Sequence, residues 1–298
     1  MGNFRTIKNG QSLQGVIALL FTPFSSDGKE VDAASLHRQI DRVLESGVSA
    51  VVACGKAGEF EGLTPAEIEQ VLALVLERVA GRVPVGMGII SVEREQGLQA
   101  AAIACRCGAD FAMVKKLTRQ QLHEFYLDIA ALLPVMVYDQ SNEGNLDLEQ
   151  EILPLLQASE RIVAVKVSGN VYSFGQLKEA APDVPLLCGW DTFSLMAYLS
   201  GADGVVAGSA AVMPEREVAL HQLALAGHWE EARKLFYRQM LPLIAFSTPD
   251  PYAFSVCKLV LHWRGLFDSP VVRPPYVNTP EWMVREIRAL ARQLDLVD

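Results

Sequence analysis

Residues 50–80, AVVACGKAGEFEGLTPAEIEQVLALVLERVA, contain one complete strand–loop–helix unit. The apolar run Ala50–Ala53 is short and rich in valine, which is typical of a buried strand. A glycine-containing loop follows, and Thr64 to Glu67 then combines a capping box with proline at the first helical position. This stretch therefore predicts a strand, a polar loop and a helix that ends near Ala80.

Including this one, eight such units lie between residues 15 and 226. The predicted strands are Gly15–Phe21, Ala50–Ala53, Pro84–Ile90, Phe111–Val114, Pro134–Tyr138, Ile162–Val167, Pro185–Cys188 and Gly204–Ala207. A helical pattern follows each strand, and a second capping box, Thr118 to Gln121, predicts where the fourth helix begins. Continuous apolar runs are typical of parallel strands buried on both faces. Eight such units predict an α/β fold, a (β/α)8 TIM barrel over residues 1–226, with an open sheet as the alternative.

The pattern changes after Gly227, where the alternation of strands and helices stops. Three helices are predicted at Trp229–Ile244, Pro251–Leu266 and Pro280–Leu294, with no strand between them. Residues 227–298 are therefore predicted to form a C-terminal helical extension that packs on the barrel and contributes to oligomer contacts.

Composition excludes several classes of protein. A formal net charge of −9 argues against a nucleic-acid partner, and half of the 298 residues are hydrophobic, as in a large buried core. The five cysteines are irregularly spaced without a CxxC pair, and the five histidines form no HExxH motif. No run of 18 apolar residues is present, and the first ten residues lack the apolar core of a signal peptide. We expect a cytoplasmic protein without a metal, cofactor or membrane partner.

Lys166 is the most informative residue, because it stands inside the apolar run Ile162–Val167. In TIM barrels the active site lies at the C-terminal ends of the strands. Lysine is almost never fully buried without a reason, and a dry environment favours its neutral amine, which is a nucleophile toward carbonyl carbon. We predict that Lys166 is catalytic; a lysine at a strand tip that simply reaches water is the alternative.

Other strand ends carry polar or flexible residues. Tyr138 ends the fifth strand, beside the sixth, where it is predicted to transfer protons; a packed aromatic ring is the alternative. The loop Gly55–Gly58 exposes backbone N–H groups that suit a carboxylate. Of the adjacent Lys115 and Lys116, at most one can face the barrel interior. Gly204–Ser209 occupies a position where many barrels bind phosphate, but close backbone packing is the favoured interpretation.

In combination, these motifs resemble the dihydrodipicolinate synthase / N-acetylneuraminate lyase superfamily of Schiff-base-forming class I aldolases. The shared landmarks, in order, are ALLFTPF (18–24), GKAGE (55–59) followed by LTPAE, VYD around Tyr138, VAVKVS around Lys166, CGWD, and GADGVVAGSA. Their order and spacing carry the resemblance from residue 15 to about residue 214.

The resemblance implies a role for each matching residue. It implies that Lys166 forms the Schiff base with the keto carbon of a 2-oxo acid and that Tyr138 shuttles protons. The substrate-binding residues that it implies are Lys56, Ala57, Gly58, Gly189 and Val206, with the backbone of the first two at the carboxylate. It further implies a small-molecule 2-oxo acid as the partner, no cofactor, and a homo-oligomer, dimer or tetramer.

Three departures from the family pattern concern the second substrate. Lys56 and Ala57 replace two hydroxyl residues, residues 115–118 include no tyrosine, and residues 139–145 include no arginine. These changes argue against true dihydrodipicolinate synthase activity. The polar side chains of Asp139, Gln140, Ser141 and Asn142 favour a substrate with hydroxyl groups.

The predicted function is a Schiff-base-forming lyase, an aldolase or dehydratase of a 2-oxo-3-deoxy sugar acid. Three alternatives stay open at this point. They are a synthase-like condensation of pyruvate with an aldehyde, a barrel enzyme that recognises phosphate without covalent catalysis, and a non-catalytic 2-oxo acid binding or regulatory homologue.

Overall fold

Eight parallel strands close into a barrel, which confirms the predicted fold class. The computed structural model describes residues 4–91, 93–169, 172–247 and 251–298, apart from the side chains of residues 141 and 172. The strands are β1 (Gly15–Leu19), β2 (Ala50–Ala53), β3 (Val85–Ser91), β4 (Phe111–Lys116), β5 (Val135–Tyr138), β6 (Ile162–Val167), β7 (Leu186–Cys188) and β8 (Gly204–Ala207). Each strand pairs with its neighbours in chain order, and β8 pairs with β1 to close the ring.

Every residue of these eight strands is buried. One face packs inside the barrel and the other packs against the helices, so neither face needs polar side chains. This is why the strands are continuous apolar runs in the sequence, and why a lysine within one of them is conspicuous.

Helices surround the barrel and continue beyond it. Those that follow the strands are α1 (Ala33–Glu45), α2 (Pro65–Val79), α3 (Arg94–Cys107), α4 (Leu122–Leu132), α5 (Leu153–Ala158), α6 (Tyr172–Ala180), α7 (Ser194–Leu199), α8 (Ser209–Val212) and α9 (Pro214–Leu225). The extension contains α10 (Trp229–Leu235), α11 (Leu241–Phe246), α12 (Ala253–Trp263) and α13 (Glu281–Gln293). A π-helical turn, Phe236–Met240, joins α10 to α11. Among the described residues, no helix combines the length and apolarity needed to cross a membrane.

One predicted helix start is confirmed and the other is wrong. The Thr64 side chain accepts a hydrogen bond from the Glu67 N–H, and the Glu67 carboxylate accepts one from the Thr64 N–H, so α2 begins with the predicted capping box. By contrast, α4 begins only at Leu122. The Thr118 hydroxyl accepts a hydrogen bond from Lys116 Nζ at 3.1 Å and is therefore engaged outside the helix.

The extension is attached to the barrel by a buried ion pair. Lys258 on α12 pairs with Glu59, which follows β2, and both side chains are fully buried. Lys258 Nζ also donates to the Val271 carbonyl at 2.9 Å, and the Arg273 N–H donates to Glu59 Oε2 at 2.7 Å. The pair holds α12 close to the mouth of the barrel. The division of the chain at residue 226 and the oligomer contacts stay predictions.

Candidate active site

A cavity of about 480 Å³ opens at the C-terminal mouth of the barrel. Strand ends and the loops after them supply most of its wall. These lining residues are Leu19, Phe21, Lys56, Ala57, Tyr138, Gln140, Lys166, Gly189, Trp190, Asp191, Thr192, Phe193 and Gly208. The extension supplies Ile244, Ser247, Ala253, Phe254 and Cys257. The extension therefore shapes the candidate site, a role that sequence reasoning did not assign to it.

Lys166 and Tyr138 meet at this mouth. They are register partners on β6 and β5, so their side chains leave the sheet on the same face. Lys166 Nζ lies 3.7 Å from the centre of the Tyr138 ring, and the two residues are 3% and 7% exposed. Within the described part of the chain, no carboxylate forms a salt bridge with Lys166. A nearly buried amine thus faces a cavity rather than a counter-ion.

Gly189 makes room for this lysine. A Cβ atom at position 189 would lie 2.5 Å from Lys166 Cε and 2.8 Å from Lys166 Cγ, and it would overlap the Ser168 hydroxyl. Because those distances are shorter than van der Waals contact, any larger residue would displace the lysine side chain. Gly189 therefore acts on the site through the position of Lys166, as well as by lining the cavity.

The paired lysines of β4 point in opposite directions, and Lys115 is the one that faces the barrel interior. Its Nζ donates to Gln140 Oε1 at 3.1 Å and lies 5.1 Å from the centre of the Tyr138 ring. Lys116 lies on the outside, where its Nζ is 5.4 Å from the centre of the Phe125 ring on α4. The site thus contains a second buried lysine. The alternation of side chains along β4 had predicted that at most one of Lys115 and Lys116 could occupy this position.

The charges at this site change the acidity of Tyr138. Burial raises the pKa of its phenol, but the nearby Lys166 and Lys115 lower it by more, and the pKa lies below its ordinary value. Burial also lowers the pKa of Lys115, although Tyr138 opposes that change. A tyrosine of increased acidity is suited to give and take protons near neutral pH.

The loop after β2 is only partly turned toward the cavity. Lys56 and Ala57 line it, whereas Gly58 packs inward: its carbonyl accepts a hydrogen bond from the Thr22 hydroxyl at 2.7 Å. A Cβ atom at Gly58 would lie 3.0 Å from the Cys54 nitrogen, so glycine is needed for the tight loop. Val206 is fully buried and lies outside the cavity lining. Three of the five predicted substrate-binding residues therefore reach the cavity.

Of the four polar residues after β5 that were predicted to favour hydroxyl groups, Gln140 reaches the cavity, whereas Asp139 and Asn142 lie outside its lining. Gln140 lines the cavity, but Asp139 is buried behind it and accepts the Ser168 N–H at 2.7 Å and the Asn145 amide at 3.3 Å. Burial raises the pKa of Asp139 to about 6. Asn142 is exposed outside the cavity lining, and the side chain of Ser141 lies outside the described residues. The polar sequence of this loop mainly stabilises its own fold.

Asp191 was not predicted as a site residue, although it belongs to the CGWD landmark. It lines the cavity, and its Oδ2 accepts the Ser209 N–H at 2.7 Å. The Ser209 hydroxyl in turn donates to the fully buried Glu217. A carboxylate directly after a strand end was the available signal. Among the described residues, no cluster of three potential metal ligands occurs.

A (β/α)8 barrel whose mouth holds a buried lysine beside a tyrosine is the arrangement of the class I aldolases, a class of lyases. Comparison with known proteins gives the family. The sequence profile of the Dihydrodipicolinate synthetase family matches residues 12–294. The chain therefore belongs to the dihydrodipicolinate synthetase family, and it is a lyase of the class I aldolase type.

Individual relatives agree with this assignment. A 4-hydroxy-tetrahydrodipicolinate synthase of Methanopyrus kandleri is 31% identical over 297 residues, which cover 94% of this chain and 97% of the relative. One from Sorangium cellulosum is 30% identical over 295 residues, which cover 95% and 96%. The crystal structure of dihydrodipicolinate synthase from Aquifex aeolicus superposes with a TM-score of 0.85 at 26% identity, and the match covers 95% of this chain and 99% of that one.

Proposed function

We propose that this protein joins pyruvate to an aldehyde through a Schiff base on Lys166. The observation that carries the proposal is the buried Lys166 amine, which faces the cavity 3.7 Å from the Tyr138 ring centre and has no carboxylate partner among the described residues. Membership of a family of pyruvate-dependent lyases supports pyruvate as the 2-oxo acid. The names of the relatives, all synthases, support the direction of condensation.

The proposed reaction begins at the amine. The Lys166 amine attacks the keto carbon of pyruvate, and uptake of a proton with loss of water leaves a protonated imine that withdraws electrons from C3. The Tyr138 phenolate removes a C3 proton and gives an enamine. The enamine carbon bonds to the aldehyde carbon, whose oxygen takes up a proton. Water then hydrolyses the imine, which releases a 4-hydroxy-2-oxo acid and regenerates Lys166.

The pyruvate carboxylate is proposed to lie against the loop after β2. The backbone N–H groups of Lys56 and Ala57 are the proposed donors, as the family resemblance implies. Ala57 has no hydroxyl to contribute, and the Lys56 ammonium replaces that contact with a charge. This arrangement leaves the remainder of the cavity for the aldehyde.

That remainder favours an aldehyde with an apolar group. Besides Tyr138, four aromatic rings line the cavity, those of Phe21, Trp190, Phe193 and Phe254, and no arginine is among the described lining residues. An apolar wall binds an apolar group without leaving buried polar atoms unpaired. Asp191 and Thr192 can still bind one or two hydroxyl groups. Cleavage of a sugar acid is the second candidate, and these two residues are the observation in its favour.

Trapping with borohydride tests the covalent step. The protein is incubated with pyruvate, the imine is reduced, and the adduct is mapped by peptide mass spectrometry. We expect the mass gain of a reduced pyruvate imine on Lys166, and its loss in Lys166→Arg. An adduct on another lysine, or none with pyruvate or any of several larger 2-oxo acids, would overturn the proposal. A panel of aldehydes then identifies the second substrate by consumption of pyruvate.

A further inference from the structure

Lys115 is a second amine placed against the reacting groups. The pairing of Val114 with Val137 puts Lys115 beside Tyr138, and Tyr138 pairs with Lys166 on the other side. The three residues therefore form one row across β4, β5 and β6, on the interior face of the barrel. Lys115 is 7% exposed and lies outside the cavity lining. It is therefore placed to act on Tyr138 from behind rather than to contact the substrate.

Gln140 connects this lysine to the phenol. Its Oε1 accepts a hydrogen bond from Lys115 Nζ at 3.1 Å and one from the Tyr138 hydroxyl at 3.4 Å. One amide oxygen thus accepts from both donors and connects the ammonium to the phenol. No carboxylate of the described residues forms a salt bridge with Lys115, so its charge acts on the tyrosine.

We infer that Lys115 is a positioning residue for proton transfer: it orients the Tyr138 hydroxyl through Gln140 and stabilises its phenolate by charge. The inference rests on the proposed function, because it assigns Lys115 to the step in which Tyr138 removes a proton from C3. A buried ammonium a few ångströms from a phenol stabilises the deprotonated form strongly, since little water screens the charge.

Several other charges act on this row from neighbouring elements. Lys166 faces Tyr138 from β6, and Asp139 follows Tyr138 in the chain. Groups after β2 and β7 complete the set, namely Lys56, Glu61 and Asp191. None of these residues is altered when Lys115 is replaced, and borohydride trapping separates an effect on Tyr138 from one on Lys166.

Exchange of the pyruvate methyl protons tests the inference without knowledge of the aldehyde. The exchange in D₂O requires imine formation and then proton removal from C3, and proton NMR follows it as a function of pH. We expect Lys115→Met to slow it by about 10- to 100-fold. The low-pH limb of the plot of exchange rate against pH should move up by about one pH unit, because loss of the cation raises the pKa of Tyr138. Lys115→Arg, which keeps the charge, should keep the limb near its original pH.

Lys116→Met is the matched control, since Lys116 is adjacent in sequence but faces out of the barrel. The exchange rate and pH profile of this variant should equal those of the parent.

Borohydride trapping separates the proposed function from the proposed role of Lys115. Failure to trap pyruvate on the parent protein overturns the proposed function, whereas a trapped parent with an unchanged profile in Lys115→Met overturns the role of Lys115. Loss of trapping in Lys115→Met alone would place its effect on Lys166 and would also overturn it. Lys115→Gln serves in its place if circular dichroism shows that Lys115→Met is unfolded.

Discussion

Two lysines are buried in this molecule under opposite conditions. Lys258, at the joint between the extension and the barrel, is fully buried against the Glu59 carboxylate and the Val271 carbonyl. Lys166, at the barrel mouth, is nearly as buried but faces an aromatic ring and a cavity. Burial alone therefore does not identify a catalytic lysine. The two lysines differ in what surrounds the amine, which is a carboxylate for Lys258 and an open cavity for Lys166.

The largest expected effects come from replacing each of the two lysines by methionine. Lys258→Met leaves Glu59 buried without its partner, so we expect a loss of about 3–5 kcal/mol in the free energy of unfolding. Lys166→Met should change that free energy by less than about 1 kcal/mol, because no partner is left unpaired, while methyl-proton exchange falls to background. Urea denaturation and the NMR exchange assay measure the two quantities.

The pair can be checked against its own double variant. Lys258→Met combined with Glu59→Gln should recover part of the lost stability, because the uncompensated charge is removed. Equal stability losses in Lys258→Met and Lys166→Met would break the distinction between the two lysines.

A smaller effect is expected from the glycine that accommodates Lys166. Gly189→Ala should displace the lysine side chain, and we expect methyl-proton exchange to fall by about 10- to 100-fold with the fold retained. Gly175→Ala in α6 is the control, since a Cβ atom there meets no heavy atom within 4 Å. Parent-like exchange in Gly189→Ala would show that Lys166 tolerates displacement.

The smallest expected effect concerns two buried carboxyl groups, which differ in the same way as the two lysines. Glu59 is paired with Lys258, whereas Glu217 is fully buried and its Oε2 has no hydrogen-bond partner among the described residues. Burial raises the pKa of Glu217 to about 8, above its ordinary value of 4.5. Between these values the unfolded chain releases a proton that the native state keeps, so this group costs stability as the pH rises from about 4.5 to 8.

Glu217→Gln removes this titration. Relative to the parent, the variant should gain about 1 kcal/mol or more in unfolding free energy between pH 5 and pH 8. Urea denaturation at the two pH values measures the difference. A difference that does not change with pH would indicate that Glu217 is ionised in the native protein.

Much of the fold follows from local patterns. The strand bounds of Ile162–Val167 and Gly204–Ala207 agree with the prediction residue for residue, because an apolar run between turn residues is a short-range property. The Thr64 capping box is confirmed for the same reason. The second capping box failed because the Thr118 hydroxyl bonds to Lys116, a competitor that a helix-start pattern does not take into account.

The site was predictable only in its centre. Lys166 and Tyr138 stand out as polar residues at the ends of apolar strands, and the structure brings them together at the cavity. The alternation of side chains along β4 allowed only one of its two adjacent lysines to face the barrel interior. The register with β5 shows that this lysine is Lys115. Gln140 could be separated from its polar neighbours only by seeing which of them faces the cavity.

The order and period of apolar residues were sufficient to predict the barrel, and one lysine inside an apolar run was sufficient to predict where the candidate site lies, because both are properties of neighbouring residues. The wall of the cavity, the partner of Lys258 and the row of Lys115, Tyr138 and Lys166 depended on the folded chain. In each case the contact joins residues from different strands or helices. Such contacts depend on how the elements pack, and packing is determined by the shapes of many side chains together, which no local pattern records.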